Sequence, residues 1–301
     1  MTELKSYAFT AMGCPCELKI EGSLRDTQAI AEECKREAWR FETKYSRYRS
    51  DSLVSAINAA AGHSRVEIDA ECRAILEYAD VCFSLSDGLF DITSGVLRRV
   101  WHPNLTALPT SKALASVLPY IGWKKVDVSD SGVYLPLSDM ELDLGGIVKE
   151  YAADALTRLI KNAGFTSAVI NLGGDLYCLG KAPGGQPWRI GVTNPFAKLP
   201  LAKAPLIDCA VATSGGYERY FEIAGHRYSH LLNPKSGWPV DGLLSVSTLA
   251  DSVVVAGSLA TIALLKDADE GLQWLADSGC TYVAVTREGS IVTQVSDELT
   301  T

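Results

Sequence analysis

The chain has 301 residues, a formal net charge of −8, 47% apolar and 21% charged residues, the composition of a globular protein with a sizeable core. The acidic balance argues against a nucleic-acid binder and against a general binder of anionic membranes. No stretch of about 18 apolar residues reads as a membrane span.

The N-terminal segment carries a charge at position 3 and no unbroken apolar region. It reads as a strand over 6–20, broken by Gly13 and Pro15, and not as a signal peptide, so a cytoplasmic protein is expected. The eight cysteines, at 14, 16, 34, 72, 82, 178, 209 and 280, are scattered, and several fall on apolar faces. That suits buried thiols in a reducing compartment, with Cys14 and Cys16 a structural pair. An amphipathic helix over 26–44 leads into a polar turn. There Lys44, Arg47 and Arg49, with two tyrosines, could hold an anion or form an ordinary solvated helix end. A short helix follows, then a second helix from about Asp69 to Leu85, stopped by Ser86-Asp87-Gly88. GLFDITSGVLRRVW (88–101) places Phe90-Asp91 just past that glycine. A short helix over 111–120 and alternating residues at 124–144 predict antiparallel strands running into the next block.

That block, LDLGGIVKEYAAD (142–154), reads as strand end, double glycine and helix start. Ile147, Tyr151, Ala155, Leu159 and Ala163 recur at helical spacing, and Gly164 ends the helix. A helix N-terminus presents free N–H groups, and glycines ahead of it leave room for a phosphate. The block alone is equally consistent with a generic turn and with an anion site.

SAVINLGGDLYCLG (167–180) repeats the double glycine inside a strand. WRIGVTNP (188–195) is a strand ending at a proline, and residues 206–224 read as a strand pair around ATSGGYERYF, with a tight polar turn at 213–216. RYSHLLNPKSGWPV (227–240) is a strand running into a loop that holds His230. A strand at 243–251, an apolar helix at 253–266 with Asp251 as its cap, a helix near 268–278 and a strand at 281–288 complete the pattern. No internal repeat or linker interrupts it.

Taken in order, Met12-Gly13, SRYRSDS (46–52), GLFDITSG (88–95), LDLGGIVKEYAAD, NLGGD (171–175), IGVTNP (190–195), ATSGGYERYF and YSHLLNPKSGWPV resemble the ApbE-type flavin transferases, the FAD:protein FMN transferases. The resemblance runs from about residue 6 to 290. It implies a mixed α/β fold of the T-fold-like kind, organised as a single domain over 1–301 or as two tightly packed subdomains. It implies FAD as substrate, Mg²⁺ as cofactor, and transfer of the FMN half onto a Thr or Ser of an acceptor flavoprotein with release of AMP. Position by position, Met12, Tyr48, Phe90, Asp91, Asp143, Lys149 and His230 would border FAD, and His230 is the candidate base for the attacking hydroxyl. The metal would take an oxygen of Gly146 and, on a late helix, an Asp and a Thr four residues apart.

The late helix departs from this pattern. Thr261 matches, but Gly257 stands where the metal-binding Asp belongs, and Mg²⁺ usually takes at least one carboxylate. Glu150 stands where the family usually has glycine. Two expectations follow: a FAD-binding protein with little or no transferase activity, or a metal site in which Glu150 replaces the missing acid. FAD pyrophosphate hydrolysis is a third outcome.

Overall fold

In a computed structural model, residues 3–295 other than 198 and 218 are described. In chain order the elements are β1 (Glu3–Ala11), β2 (Cys14–Gly22), α1 (Leu24–Tyr45), α2 (Leu53–Ala59), α3 (Ala70–Leu85), α4 (Ser111–Val117), β3 (Asp127–Ser129), β4 (Gly132–Tyr134) and α5 (Val148–Asn162). They continue with β5 (Ala168–Leu172), β6 (Asp175–Leu179), β7 (Trp188–Val192), β8 (Ala202–Leu206), β9 (Cys209–Gly215), β10 (Tyr220–Ile223) and β11 (His226–Ser229). The last are β12 (Ser245–Ala250), α6 (Val253–Leu265), α7 (Ala268–Asp277), β13 (Tyr282–Val285) and β14 (Ile291–Gln294).

Eight strands form one sheet in the order β1-β2-β5-β6-β9-β12-β13-β14, and every neighbouring pair is antiparallel. The mixed α/β class expected from the sequence is what is found. Helices lie along one face: α1 on β1 and β2, α5 on β5 and β6, α6 on β9 and β12. On the opposite face Trp188 of β7 and Leu206 of β8 cover Val169, Leu176, Cys178, Val211 and Leu249. With both faces covered, β6 is buried at all five positions, including Asp175. A carboxylate there must be matched by donors from the protein.

The chain departs from expectation at four places. Residues 142–144 are not a strand. The Leu142 N–H donates to Asn58 Oδ1 at 2.6 Å, Asn58 Nδ2 donates to the Leu142 carbonyl at 3.0 Å, and the Asp143 N–H donates to the Ile92 carbonyl at 2.7 Å. These bonds satisfy a buried backbone without a sheet neighbour. Gly173 and Gly174 do not sit inside a strand; with φ of 65° and 98° they form the two-residue turn of the β5–β6 hairpin. Thr213, Ser214 and Gly215 belong to β9 and not to a turn, and β9 pairs with β6 and β12 while β10 pairs with β11. Asp251 is not the cap of α6. Ser252 holds that position, and the buried Asp154 of α5 accepts hydrogen bonds from the Val253 and Val254 N–H groups at 2.8 and 3.0 Å. Burial pushes the Asp154 carboxyl up, against these two bonds. The carboxylate of one helix thus caps the next and fixes the register of α5 against α6.

Candidate active site at one end of the sheet

The hairpin turns of β1–β2 and β5–β6 lie side by side. Met12 and Gly13, with φ of 51° and 70°, make the first. The Gly173 N–H donates to the Pro15 carbonyl at 2.9 Å, and a Cβ on Gly173 would stand 2.8 Å from Cys14 Sγ, so only glycine fits. Because β2 pairs with β5, and β6 with β9, the same end of the sheet gathers Asp175, Thr213 and Ser214.

Lys149, at the start of α5, enters this cluster from the helix layer. Its ammonium pairs with Asp175 Oδ2 and with Glu150 Oε1, the latter at 2.9 Å. Asp175 Oδ1 accepts the Thr213 N–H at 3.0 Å. The Ser214 and Thr261 hydroxyls are 2.8 Å apart, and those of Thr213 and Ser247 2.7 Å apart. Positive charge from Lys149 and Arg219 reaches Cys14, whose thiol is pushed down to about 7, mainly by its hydrogen bond with Cys16. Arg219 in turn offers its backbone carbonyl to His230: the ring Nδ1 is 2.9 Å from that oxygen. A carbonyl cannot donate, so Nδ1 carries the proton in the neutral ring, and Nε2 carries the lone pair. A small cavity of about 60 Å³ lined by Gly173, Gly174, Thr193, Thr213, Gly215 and Tyr217 opens beside the cluster.

The expected site residues fall into separate groups. Met12, Lys149, Thr261, Glu150 and Gly257 converge on this end of the sheet. A Cβ on Gly257 would lie 2.7 Å from Glu150 Cγ, so the lost and the gained position face each other directly. Of the rest, His230 sits by Arg219, Asp143, Gly146, Phe90 and Tyr48 lie at or beside the double-glycine turn, and Asp91 is held elsewhere. Asp143 pairs with Arg47 at 2.6 Å and accepts the Gly145 N–H at 3.0 Å. Tyr48 is 80% exposed beside Arg47, whose Nη2 donates to its hydroxyl at 2.9 Å. Phe90 is buried under Gly146, 3.3 Å from where its Cβ would be. Asp91 is buried, and its oxygens accept the Thr93 hydroxyl and N–H and the Trp123 N–H. Lys44, Arg47 and Arg49 do not form one anion site: Lys44 pairs with Asp69 and Glu71, Arg47 with Asp143, Arg49 with Asp51. Asp175 was not singled out in the sequence, and Arg47 was named only as one of three cations that could hold an anion. The available signal was an acid opening a strand that otherwise reads as apolar, in NLGGD.

The family model described as "ApbE family" matches residues 12–284. The chain belongs to the ApbE family. The "FAD:protein FMN transferase" of Klebsiella pneumoniae (strain 342) is 31% identical over 265 residues, covering 86% of this chain and 81% of that one. The protein of the same description from Treponema pallidum (strain Nichols) is 30% identical over 278 residues, covering 85% and 77%. The crystal structure of the ApbE protein of Thermotoga maritima superposes with a TM-score of 0.89 at 29% identity, covering 99% and 98% of the two chains. The Pseudomonas stutzeri flavinyl transferase ApbE does so with a TM-score of 0.86 at 26% identity, covering 98% and 95%. This ApbE family fold accounts for the blocks that converge on Lys149 from strands and helices far apart in sequence.

Proposed function

We propose that this chain transfers the FMN moiety of FAD to a Thr or Ser hydroxyl of an acceptor flavoprotein, releasing AMP. The observation that carries this reading is the convergence of the family's dispersed blocks on one end of the sheet, in a chain that matches proteins described as FAD:protein FMN transferases over most of its length. FAD would lie across the Met12–Gly13 and Gly173–Gly174 turns and the double-glycine turn, with Tyr48, Phe90, Asp91 and Asp143 bordering it and Lys149 near its phosphates.

The reaction forms a P–O bond between the acceptor hydroxyl and the FMN phosphorus and breaks the pyrophosphate P–O bond, so that AMP leaves with the bridging oxygen. The hydroxyl proton goes to the Nε2 lone pair of His230, whose Nδ1–H is held by the Arg219 carbonyl. Lys149, fixed between Asp175 and Glu150, supplies fixed positive charge where negative charge grows on phosphate oxygens. The family resemblance implies Mg²⁺. The donors present fit a hard cation: Thr261 Oγ1, the Gly146 carbonyl and a buried Glu150 oxygen with no hydrogen-bond partner. When bound, the ion would neutralise pyrophosphate charge. The eight cysteines are free thiols, which supports a reducing, cytoplasmic setting. None of the helices of the described residues is long and apolar enough to cross a membrane.

The decisive assay mixes the protein with FAD, Mg²⁺ and a candidate acceptor domain and follows flavin fluorescence on the denatured acceptor. Covalent label with equimolar AMP is the expected result. FMN and AMP with no labelled protein would replace transfer by hydrolysis, and unchanged bound FAD would leave only a flavin binder.

A further inference from the structure

Glu150 is 8% exposed. Its Oε1 faces Lys149 at 2.9 Å, while Oε2 is buried and has no hydrogen-bond partner. A carboxylate oxygen left so carries an unpaid desolvation penalty. Glu150 and Asp175 are two buried carboxylates, and Lys149 is the ammonium that both of them contact. A single ammonium is thus shared by two carboxylates in a site of low dielectric.

The position of Glu150 is set by the helix pair. Asp154, one turn further along α5, caps α6 at Val253 and Val254. One turn along α6 from there, Glu150 meets Gly257: a Cβ on Gly257 would stand 2.7 Å from its Cγ, 3.4 Å from Cδ and 3.5 Å from Oε1. The Glu150 side chain therefore fills the space that a side chain at 257 would fill. Thr261 is one turn beyond Gly257 on the same face of α6. Its hydroxyl is already turned to Ser214 at 2.8 Å. Gly146 is one turn before Glu150, and its carbonyl accepts no backbone hydrogen bond among the described residues.

We propose that Glu150 supplies, from α5, the carboxylate of a divalent-cation site, completed by Thr261 Oγ1 and the Gly146 carbonyl. The acid has moved from residue 257 to residue 150 while its place in space is kept. The donors are all oxygen, which selects Mg²⁺ or Mn²⁺ over thiophilic metals. A dication adds positive charge beside the two carboxylates and engages Oε2. The site rests on the transferase reading for its purpose, but not for its detection.

The test is Mn²⁺ binding to the full-length protein, followed by electron paramagnetic resonance with and without FAD, with Mg²⁺ as competitor. The wild type is expected to bind one ion. Glu150→Ala lowers the affinity at least tenfold. The double variant Glu150→Ala/Gly257→Asp, in which removal of Cγ makes room for the new side chain, regains most of it. Circular dichroism and thermal melting confirm that each variant is folded. Unchanged binding in Glu150→Ala, no binding in the wild type, or failure of the folded double variant to regain affinity would each overturn the proposal. A protein that binds the ion through Glu150 yet flavinylates no acceptor would fault the transferase reading alone.

Discussion

Lys149 is the cation shared by two buried carboxylates. Removing it in Lys149→Ala leaves Asp175 and Glu150 buried without their shared cation. A loss of about 3 kcal/mol in denaturant unfolding is expected, as for other broken buried pairs. Asp175→Asn in the same background should recover part of it, because one of the stranded charges is gone. His230 carries a different prediction. His230→Asn retains a side-chain donor but no base, so the flavinylation rate should fall by about 10²–10⁴-fold while FAD binding, followed by flavin fluorescence, is retained. Met12, Lys149 and His230 were legible in the sequence because they sit in blocks whose order is specific. Arg47 was visible only as one of three cations, and which carboxylate each cation takes is decided by packing between α1, α3 and the double-glycine turn. The partner of Asp143 could not be read from spacing.

The helices were readable almost to the residue from their apolar period and their caps, as with Asp69 at the start of α3 and Ser252 one position from the expected cap of α6. The strands were less so. Residues 142–144 alternate like a strand, yet the Asn58 side chain and the Ile92 carbonyl take the place of a neighbour, a choice that local pattern cannot encode. Two contacts between elements can be tested at this scale. Asp154→Ala removes the acceptor of two N–H groups at the start of α6 and should cost about 2–3 kcal/mol in denaturant melts, hydrogen bonds to charged groups being the stronger kind. Glu71 of α3 joins α1. Burial would raise its carboxyl, but hydrogen bonds from Arg40, Lys44 and Tyr45 outweigh that and hold it at about 2. Its folded value lies below the unfolded one, so its contribution is present above about pH 4.5 and fades as the pH falls toward 2. Glu71→Gln should therefore lower stability by about 1 kcal/mol at neutral pH, a figure reduced for solvent screening, and the gap to wild type should close across that acid window in pH-dependent melts.

At the scale of the whole molecule, the antiparallel sheet and its helix layer bring one end of many elements together, and a ligand that binds there should stabilise all of them at once. FAD at about 100 times its dissociation constant should add roughly 2.7 kcal/mol to unfolding, read as a rise in melting temperature that disappears when FAD is replaced by riboflavin, which lacks the phosphates. The mixed class and the family were readable from the sequence because the blocks keep their order. The strand order was not, since β9 pairs with β6 and β12 across long connections while the nearby β10 turns to β11. The cap that Asp154 places on α6 has a consequence for how such a chain is made. Residues 154 and 253 lie on either side of eight strands of synthesis that must already be in place, and Thr261 is farther still. A chain growing on the ribosome can close its first hairpin and settle α1 early, but it has no competent flavin site until α6 has emerged and docked. Nascent chains halted before α6 should therefore be blind to FAD, and those released after it should acquire flavin affinity in one cooperative step.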